Sequence, residues 1–295
     1  MSESLKYALI IIVAVMAADL LIHMFWFGIV TRRYKMTSDK VTRPLKILHI
    51  SDLHSCRYGK NQSRLIKKIK KASPDIVCMT GDIIDERKNF ANALALADGI
   101  AHLYPCYYVY GNHEFRISAG ILEWHADDFR QRGVKLLSIR GGEKQISQFE
   151  IGGQRITVCG IDDPSGYGFR RAVSDIRDFD TPLSMKAGSD SFSILLSHRP
   201  DLADYYADTK FDLVLSGHAH GGQWRIPLVM NGLYAPQQGL FPRYAGGLYK
   251  LKNKEWRPHN VRLCVSRGLG LNLPIPRIFN PPEIVVITVT NGKKR

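Results

Sequence analysis

Five times along this chain a short apolar run breaks off into a turn that carries oxygen or imidazole ligands. Leu45–Ile50 leads to Ser51-Asp52-Leu53-His54, and Ile76–Thr80 leads to Gly81-Asp82. The run at 106–110 leads to Gly111-Asn112-His113-Glu114. Phe192–Ser197 leads to His198, and Leu213–Ser216 leads to Gly217-His218-Ala219-His220. Apolar runs this short, bounded by turn residues, read as buried strands. Between them, 64–71, 89–103 and 119–132 have helical spacing. The last of these ends at Gly133, a residue suited to a left-handed helix cap. Further strands are predicted over 134–137, 156–161, 261–266 and 284–290. Strands alternating with helices argue for an α/β domain with at least part of its sheet parallel. In such sheets the site forms outside the carboxyl ends of the strands, which is where the ligand-bearing turns fall.

The chain has 295 residues, enough for one large domain or two small ones. Its 41 Lys and Arg against 27 Asp and Glu leave a net charge of +14, which favours anionic surroundings: phosphate substrates, acidic membrane faces or nucleic acid. The five cysteines, Cys56, Cys78, Cys106, Cys159 and Cys264, are scattered, odd in number and without CxxC spacing. Cys78, Cys106, Cys159 and Cys264 read as reduced core thiols rather than as a disulfide framework, and Cys56, just after a candidate ligand, as an accessible bystander.

Residues 7–30 are nearly all apolar, long enough to span a bilayer core of ~30 Å. Trp26 and Phe27 suit an interfacial aromatic belt. Asp19 and His23 interrupt the run four residues apart, so they share one helix face and can pair. No Ala-x-Ala site follows, against a cleaved signal peptide. The basic residues come after the helix: Arg32, Arg33, Lys35, Lys40, Arg43 and Lys46. The expectation is a membrane anchor over 1–31 and a basic linker over 32–44, then a catalytic domain over 45–290 and a basic tail over 291–295. By the positive-inside tendency this is a single pass in the inner membrane with the domain in the cytoplasm. The basic helix face at 64–71 is read as solvated, with anionic lipid as the alternative.

The ligand types point to chemistry at phosphorus. Asp52 and His54, two apart on an extended chain, project to one side and can reach one cation. Asp82 can bridge two ions, Asn112 offers a carbonyl oxygen, and His198, His218 and His220 offer imidazoles. A lone Asp-x-His or strand-end histidine is usually structural. Seven such residues in five equivalent contexts are too many for one tetrahedral ion and enough for two. Mn²⁺ is the first choice, with Fe or Zn²⁺ as alternatives. Paired metals serve in-line displacement at phosphorus. His113, beside a ligand but not needed as one, suits protonation of the leaving group or contact with the phosphate. Glu114 is the candidate to orient it.

Taken together, these stretches resemble the calcineurin-like metallophosphoesterase signature, over 45 to about 289. The resemblance implies two mixed β-sheets in a sandwich flanked by helices. It implies one metal held by Asp52, His54, Asp82 and His220 and a second held by Asp82, Asn112, His198 and His218, with His113 catalytic. The longer forms Leu196-Ser197-His198-Arg199-Pro200-Asp201, Gly217-His218-Ala219-His220-Gly221-Gly222-Gln223, Ser266-Arg267-Gly268-Leu269-Gly270 and Asn280-Pro281-Pro282-Glu283 look like its bacterial membrane-associated branch. That branch includes phosphodiesterases and a UDP-2,3-diacylglucosamine hydrolase.

Two stretches without clean periodicity, 162–171 and 224–276, are expected to line the pocket mouth. Their apolar content suits a lipid tail. Arg170, Arg171 and Arg243 suit a diphosphate, and Arg267 suits either a phosphate oxygen or a surface salt bridge. The substrate expected is a phosphodiester or pyrophosphate, lipid-linked in the leading version. The alternatives are a nuclease or cyclic-nucleotide phosphodiesterase, and a non-catalytic binding module on the same fold. No nucleic-acid-binding module is recognisable, so no specific nucleic acid is expected as a partner, nor an obligate protein partner.

Overall fold

The computed structural model describes residues 3–25, 28–138, 146–178, 190–252, 261–271 and 276–292. Trp26, Phe27 and most of the basic tail lie outside them, as do the side chains of Asp19 and His23.

The first sheet contains β1 (Val30–Ser38), β2 (Leu45–Ile50), β3 (Ile76–Thr80), β4 (Cys106–Val109) and β5 (Val134–Leu136), with β14 (Glu283–Asn291) inserted between β1 and β2. The second contains β6 (Ile146–Ile151), β7 (Gln154–Ile161), β8 (Phe192–Ser197), β9 (Leu213–Ser216), β12 (Gly247–Lys250) and β13 (Arg262–Val265), in the order β12-β13-β9-β8-β7-β6. A small hairpin, β10 (Tyr234–Ala235) and β11 (Gly239–Leu240), stands apart. Both large sheets are mixed. β2, β3, β4 and β5 run parallel while β14 opposes β2. In the second sheet β13, β9, β8 and β7 run parallel while the edge strands β12 and β6 oppose.

Strand parity divides the apolar residues into layers, because successive side chains point to opposite faces. Leu45, Ile47, Ile76, Cys78, Tyr107 and Val109 meet Ile156, Val158, Phe192, Ile194, Leu213 and Leu215 between the sheets. The intervening residues Leu48, Ile50, Val77, Met79 and Tyr108 face three helices instead. Those are α2 (Ser63–Ala72), α3 (Ala91–Ile100) and α4 (Ala119–Gln131), which bury Leu65, Ile69, Leu96, Ile100, Leu122 and Phe129. The far face of the second sheet packs on α5 (Phe169–Asp178) and the short α6 (Ala203–Tyr206). The result is a helix-sheet-sheet-helix sandwich, with the central strands buried on both faces.

Preceding it, α1 (Glu3–Met24) includes an 18-residue stretch, Leu5–Ile22, apolar and long enough to cross a membrane and with none of it buried by the rest of the chain. The helix ends earlier than the apolar run suggests. Ile29 is already buried in the core, and Val30 opens β1, paired over nine residues with β14. The stretch that composition marks as a linker therefore contains an edge strand. Its exposed Arg33 and Lys35 are what make it look like a linker. The stretch 162–171, expected as an irregular loop, already enters α5 at Phe169.

Candidate metal centre

Each ligand-bearing turn follows the carboxyl end of a parallel strand, and the two sheets bring these ends to one rim. Asp52 and His54 do not lie on extended chain. Asp52, His54, Asp82, His218 and His220 all have left-handed backbone, with φ of 52°, 48°, 52°, 65° and 47°. Such φ values are uncommon outside glycine and cluster where a site over-determines the chain. Side chains converge through tight left-handed turns rather than through strand alternation. Glycine makes the close approach possible. A Cβ at Gly217 would lie 2.4 Å from Asp52 Oδ2, and one at Gly81 (φ +85°) would lie 2.6 Å from the backbone of Gly111.

The seven residues come together, all buried, none more than 8 % exposed. Asp52, His54, Asp82 and His220 form one group, and Asp82, His198 and His218 a second, each with ligand atoms within 4.8 Å of one another. His198 Nε2 lies 3.2 Å from Asp82 Oδ2, 3.2 Å from Asn112 Oδ1 and 3.1 Å from His218 Nδ1. His54 Nε2 lies 3.3 Å from His220 Nε2 and 3.7 Å from Asp82 Oδ2. His220 Nε2 is 3.5 Å from Asp52 Oδ1.

Outer contacts set which ring nitrogen points inward. His198 Nδ1 donates to the Thr80 carbonyl at 2.7 Å, which leaves Nε2 for the centre. His218 Nε2 donates to Gln237 Oε1 at 2.6 Å, which leaves Nδ1. His54 Nδ1 faces Asp85 Oδ2 at 3.3 Å. The electrostatics follow from buried carboxylates. Burial pushes the Asp82 carboxyl up, but the His198 charge and hydrogen bond outweigh it and hold Asp82 well below the usual carboxylate range. Burial pulls His198 down, yet Asp82 and Asp52 raise it to about 10. His220, buried and beside His54 and Arg277, is held well below the imidazole range. Two buried carboxylates, four imidazoles and an amide oxygen, their lone pairs turned on one another, are a donor set that fits two divalent cations.

A cavity of about 340 Å³ opens beside the cluster, lined among others by Asp82, Asn112, His113, His218 and His220. His113 is 19 % exposed at its side chain. Its Nδ1 lies 2.6 Å from Glu86 Oε2, and its main-chain N–H donates to Asp82 Oδ1 at 2.8 Å. Glu86, not Glu114, therefore occupies the orienting position. Burial pushes Glu86 up, but the hydrogen bond from His113 brings it below its ordinary value. Glu114 is fully buried and accepts from the main-chain N–H of Asp82, Ile84 and Gly111 and from the Tyr108 hydroxyl, which ties two ligand loops together.

The cationic groups at the cavity are Arg116 and Arg199. Arg116 lies 3.3 Å from His113 Nε2, and Arg199 is held by Asp201 through two bonds of 2.8 Å. The arginines expected from sequence lie elsewhere. Arg267 is buried and bonded to Glu283 at 3.1 Å and to Asn231, so it forms an internal ion pair and not a surface one. Arg170 is exposed on the first turn of α5 and does not line the cavity. Arg171 pairs with Asp175, and Arg243 covers the Tyr244 ring. Asp85, Glu86 and Arg116 were legible only as charged loop residues close after ligand turns. Gln237 and Arg199 carried no periodic signal.

Residues 45–222 match the family model described as calcineurin-like phosphoesterase. The chain is 33 % identical over 258 residues to an uncharacterized metallophosphoesterase of Campylobacter jejuni, across 85 % of this chain and 60 % of that protein. It thus spans about three-fifths of that relative's length. It is 26 % identical to an uncharacterized metallophosphoesterase of Aquifex aeolicus, across 90 % of this chain and 94 % of the other. It is 26 % identical to the phosphodiesterase YaeI of Escherichia coli, across 89 % and 88 %. Among solved structures, the NAD nucleotidase of Haemophilus influenzae shares the fold at a TM-score of 0.53 and 17 % identity, over 77 % of this chain and 45 % of that one. With the family match covering more than half its length, the chain belongs to the calcineurin-like metallophosphoesterases, and it gathers residues able to hold two metal ions.

Proposed function

We propose that this protein is a membrane-anchored phosphodiesterase or pyrophosphatase acting on an amphiphilic, lipid-linked phosphate ester. The observation that carries the reading is the pair of ligand groups sharing Asp82 at the base of a cavity whose other walls hold His113, Arg116 and Arg199. Asp52, His54, Asp82 and His220 would hold one ion, and Asp82, Asn112, His198 and His218 the other. Mn²⁺ is the first candidate, with Fe or Zn²⁺ behind it. When bound, such ions supply an activated water and charge stabilisation at phosphorus.

The chain's own residues do the rest. Arg116 lines the cavity with a half-exposed guanidinium suited to phosphate oxygens, and Arg199, already paired with Asp201, lines it as a second cation. Glu86 holds His113 by Nδ1, which turns Nε2 to the cavity, and in the imidazolium form the Nε2–H would pass its proton to the leaving oxygen, leaving the neutral ring bonded to Glu86. Arg116 then exchanges its contact with His113 Nε2 for the substrate phosphate. Arg170, exposed on α5, and Arg267, paired inside the domain with Glu283, the phosphate contacts suggested by sequence, take no part at the phosphate in this reading. The similarity to a phosphodiesterase of Escherichia coli supports the reaction class. The exposed apolar α1 supports attachment to a membrane, read as the bacterial inner membrane with the domain on the cytoplasmic side.

The test is Mn²⁺-dependent hydrolysis by the purified full chain, with a bis-aryl phosphodiester against UDP-2,3-diacylglucosamine. Preference for the lipid nucleotide is expected. Turnover of the aryl ester alone would keep the chemistry and remove the lipid-linked substrate.

A further inference from the structure

Between β9 and β12 the chain makes an excursion that the sandwich does not need. Ile226, Pro227, Leu228 and Val229 form a turn closed by the Val229 N–H donating to the Ile226 carbonyl at 3.0 Å. Leu228 sits at the third turn position with φ 68°, where glycine or asparagine is the usual residue. It is an aliphatic side chain in a disfavoured conformation, and it is 109 % exposed, with Val229 at 80 %. Among the described residues none covers these two side chains. At the end of the β10–β11 hairpin the pattern repeats: Leu240 and Phe241 are 66 % and 67 % exposed, and Phe241 has φ 55°.

The base of this excursion is tied to the end of α1. The Arg225 N–H donates to the Ile278 carbonyl at 3.0 Å, and the Phe279 N–H donates to the Met24 carbonyl at 2.9 Å. Two successive backbone pairings, each about 5 Å, put Arg225, at the base of the turn, within about 10 Å of the carboxyl end of the apolar helix. The charge is one-sided as well. From Leu213 to Lys254 the sequence has no Asp or Glu, while Arg225, Arg243, Lys250, Lys252 and Lys254 are present. Exposed aliphatic tips among cations, next to an unburied apolar helix, have the composition of a surface that lies in an anionic headgroup layer.

We propose that the Ile226–Val229 turn and the Leu240–Phe241 tip insert into the anionic bilayer that holds α1, as a second contact that fixes the orientation of the domain. Tyr234, Pro236 and Gln237, which wall the cavity, belong to the same excursion, so this contact sets the metal cavity at the headgroup plane. The proposal rests on the reading of α1 as a membrane segment.

The test needs no turnover. All five native cysteines are buried, so a nitroxide label placed at Leu228→Cys in the full chain is selective. The chain is reconstituted into vesicles of phosphatidylethanolamine and phosphatidylglycerol. Collision with oxygen is compared with collision with a water-soluble nickel chelate by power saturation. Gln148→Cys, on the opposite edge strand of the second sheet, gives the solvent reference. The oxygen-to-nickel ratio is expected to be several-fold higher at 228 than at 148, and Phe241→Cys should follow 228. Equal ratios at 228 and 148 would overturn the insertion. Replacing phosphatidylglycerol by phosphatidylcholine should lower the ratio at 228, and no change would overturn the anionic requirement. Release of the chain by a carbonate wash would overturn the anchor and this contact together. A buried label on a chain that hydrolyses neither test ester would leave the contact standing and count against the enzymatic reading alone.

Discussion

At the scale of single residues, the site separates into side chains that sequence spacing reveals and side chains that only convergence reveals. The seven candidate ligands were legible as a set because each follows an apolar strand, and burial on both sides keeps such strands free of competing polar signals. Glu86 was not, because a glutamate in Asp85-Glu86-Arg87-Lys88 reads as a solvated charge until the fold brings it to His113. We expect His113→Ala to lower kcat by about 10²–10⁴ while metal content by mass spectrometry stays unchanged. Loss of metal instead would make His113 a ligand. Glu86→Gln should lower kcat by about tenfold with KM nearly constant. An unaltered kcat and pH profile would remove it as a positioning residue. A third test concerns His49, buried and bonded by Nε2 to Thr80 Oγ1 at 2.7 Å. Burial pulls its pKa from 6.5 to about 3. The unfolded chain therefore binds a proton that the folded chain refuses between pH 6.5 and 3. This contribution to stability is complete above the unfolded value and is lost as pH falls, by up to about 1.4 kcal/mol per pH unit. Urea unfolding of metal-free protein should show that slope, reduced by about one proton in His49→Gln.

Among the elements, legibility followed position in the sheet. The strands β2, β3, β4, β8 and β9 stand out as apolar runs. The edges β1 and β6 do not, because edge strands carry polar and charged residues on their open sides. Helix α5 did have a signal, since Phe169, Ala172, Val173 and Ile176 recur at helical spacing, but the Gly and Pro before it suggested a loop. The edge strand decides where the domain can be cut. A chain beginning at residue 28 keeps Ile29 in the core and β1 on β14, and should be soluble and as stable as the full chain. A chain beginning at residue 45 loses nine paired residues, bares the edge of β14, and should be less stable by about 5 kcal/mol or aggregate. Chemical denaturation of the two truncations checks this. Equal stability would mean that β1 is dispensable.

For the whole molecule, the meeting of two sheets at one rim was not readable from any local pattern. It follows from the shared core of Ile47, Cys78, Val109, Ile194 and Leu215, whose partners are remote in sequence. Only the family resemblance anticipated it. That rim is where bound ions and global stability are linked. Chelation should abolish hydrolysis and lower the thermal midpoint by roughly 5–10 °C relative to protein with metal at a hundredfold excess over Kd. An unchanged midpoint would mean that the cluster does not bind metal in the folded chain.

The left-handed backbone at Asp52, His54, Asp82, His218 and His220 has a consequence for descent. Left-handed backbone costs a residue with a Cβ about 1 kcal/mol, less for Asp and Asn, and buried contacts such as that of Asp82 with His198 hold the chain there. A gene copy released from catalysis would be free to drift towards Gly and Asn at these five sites. The residues found at these turns, set beside metal content, would then mark which relatives had fallen silent.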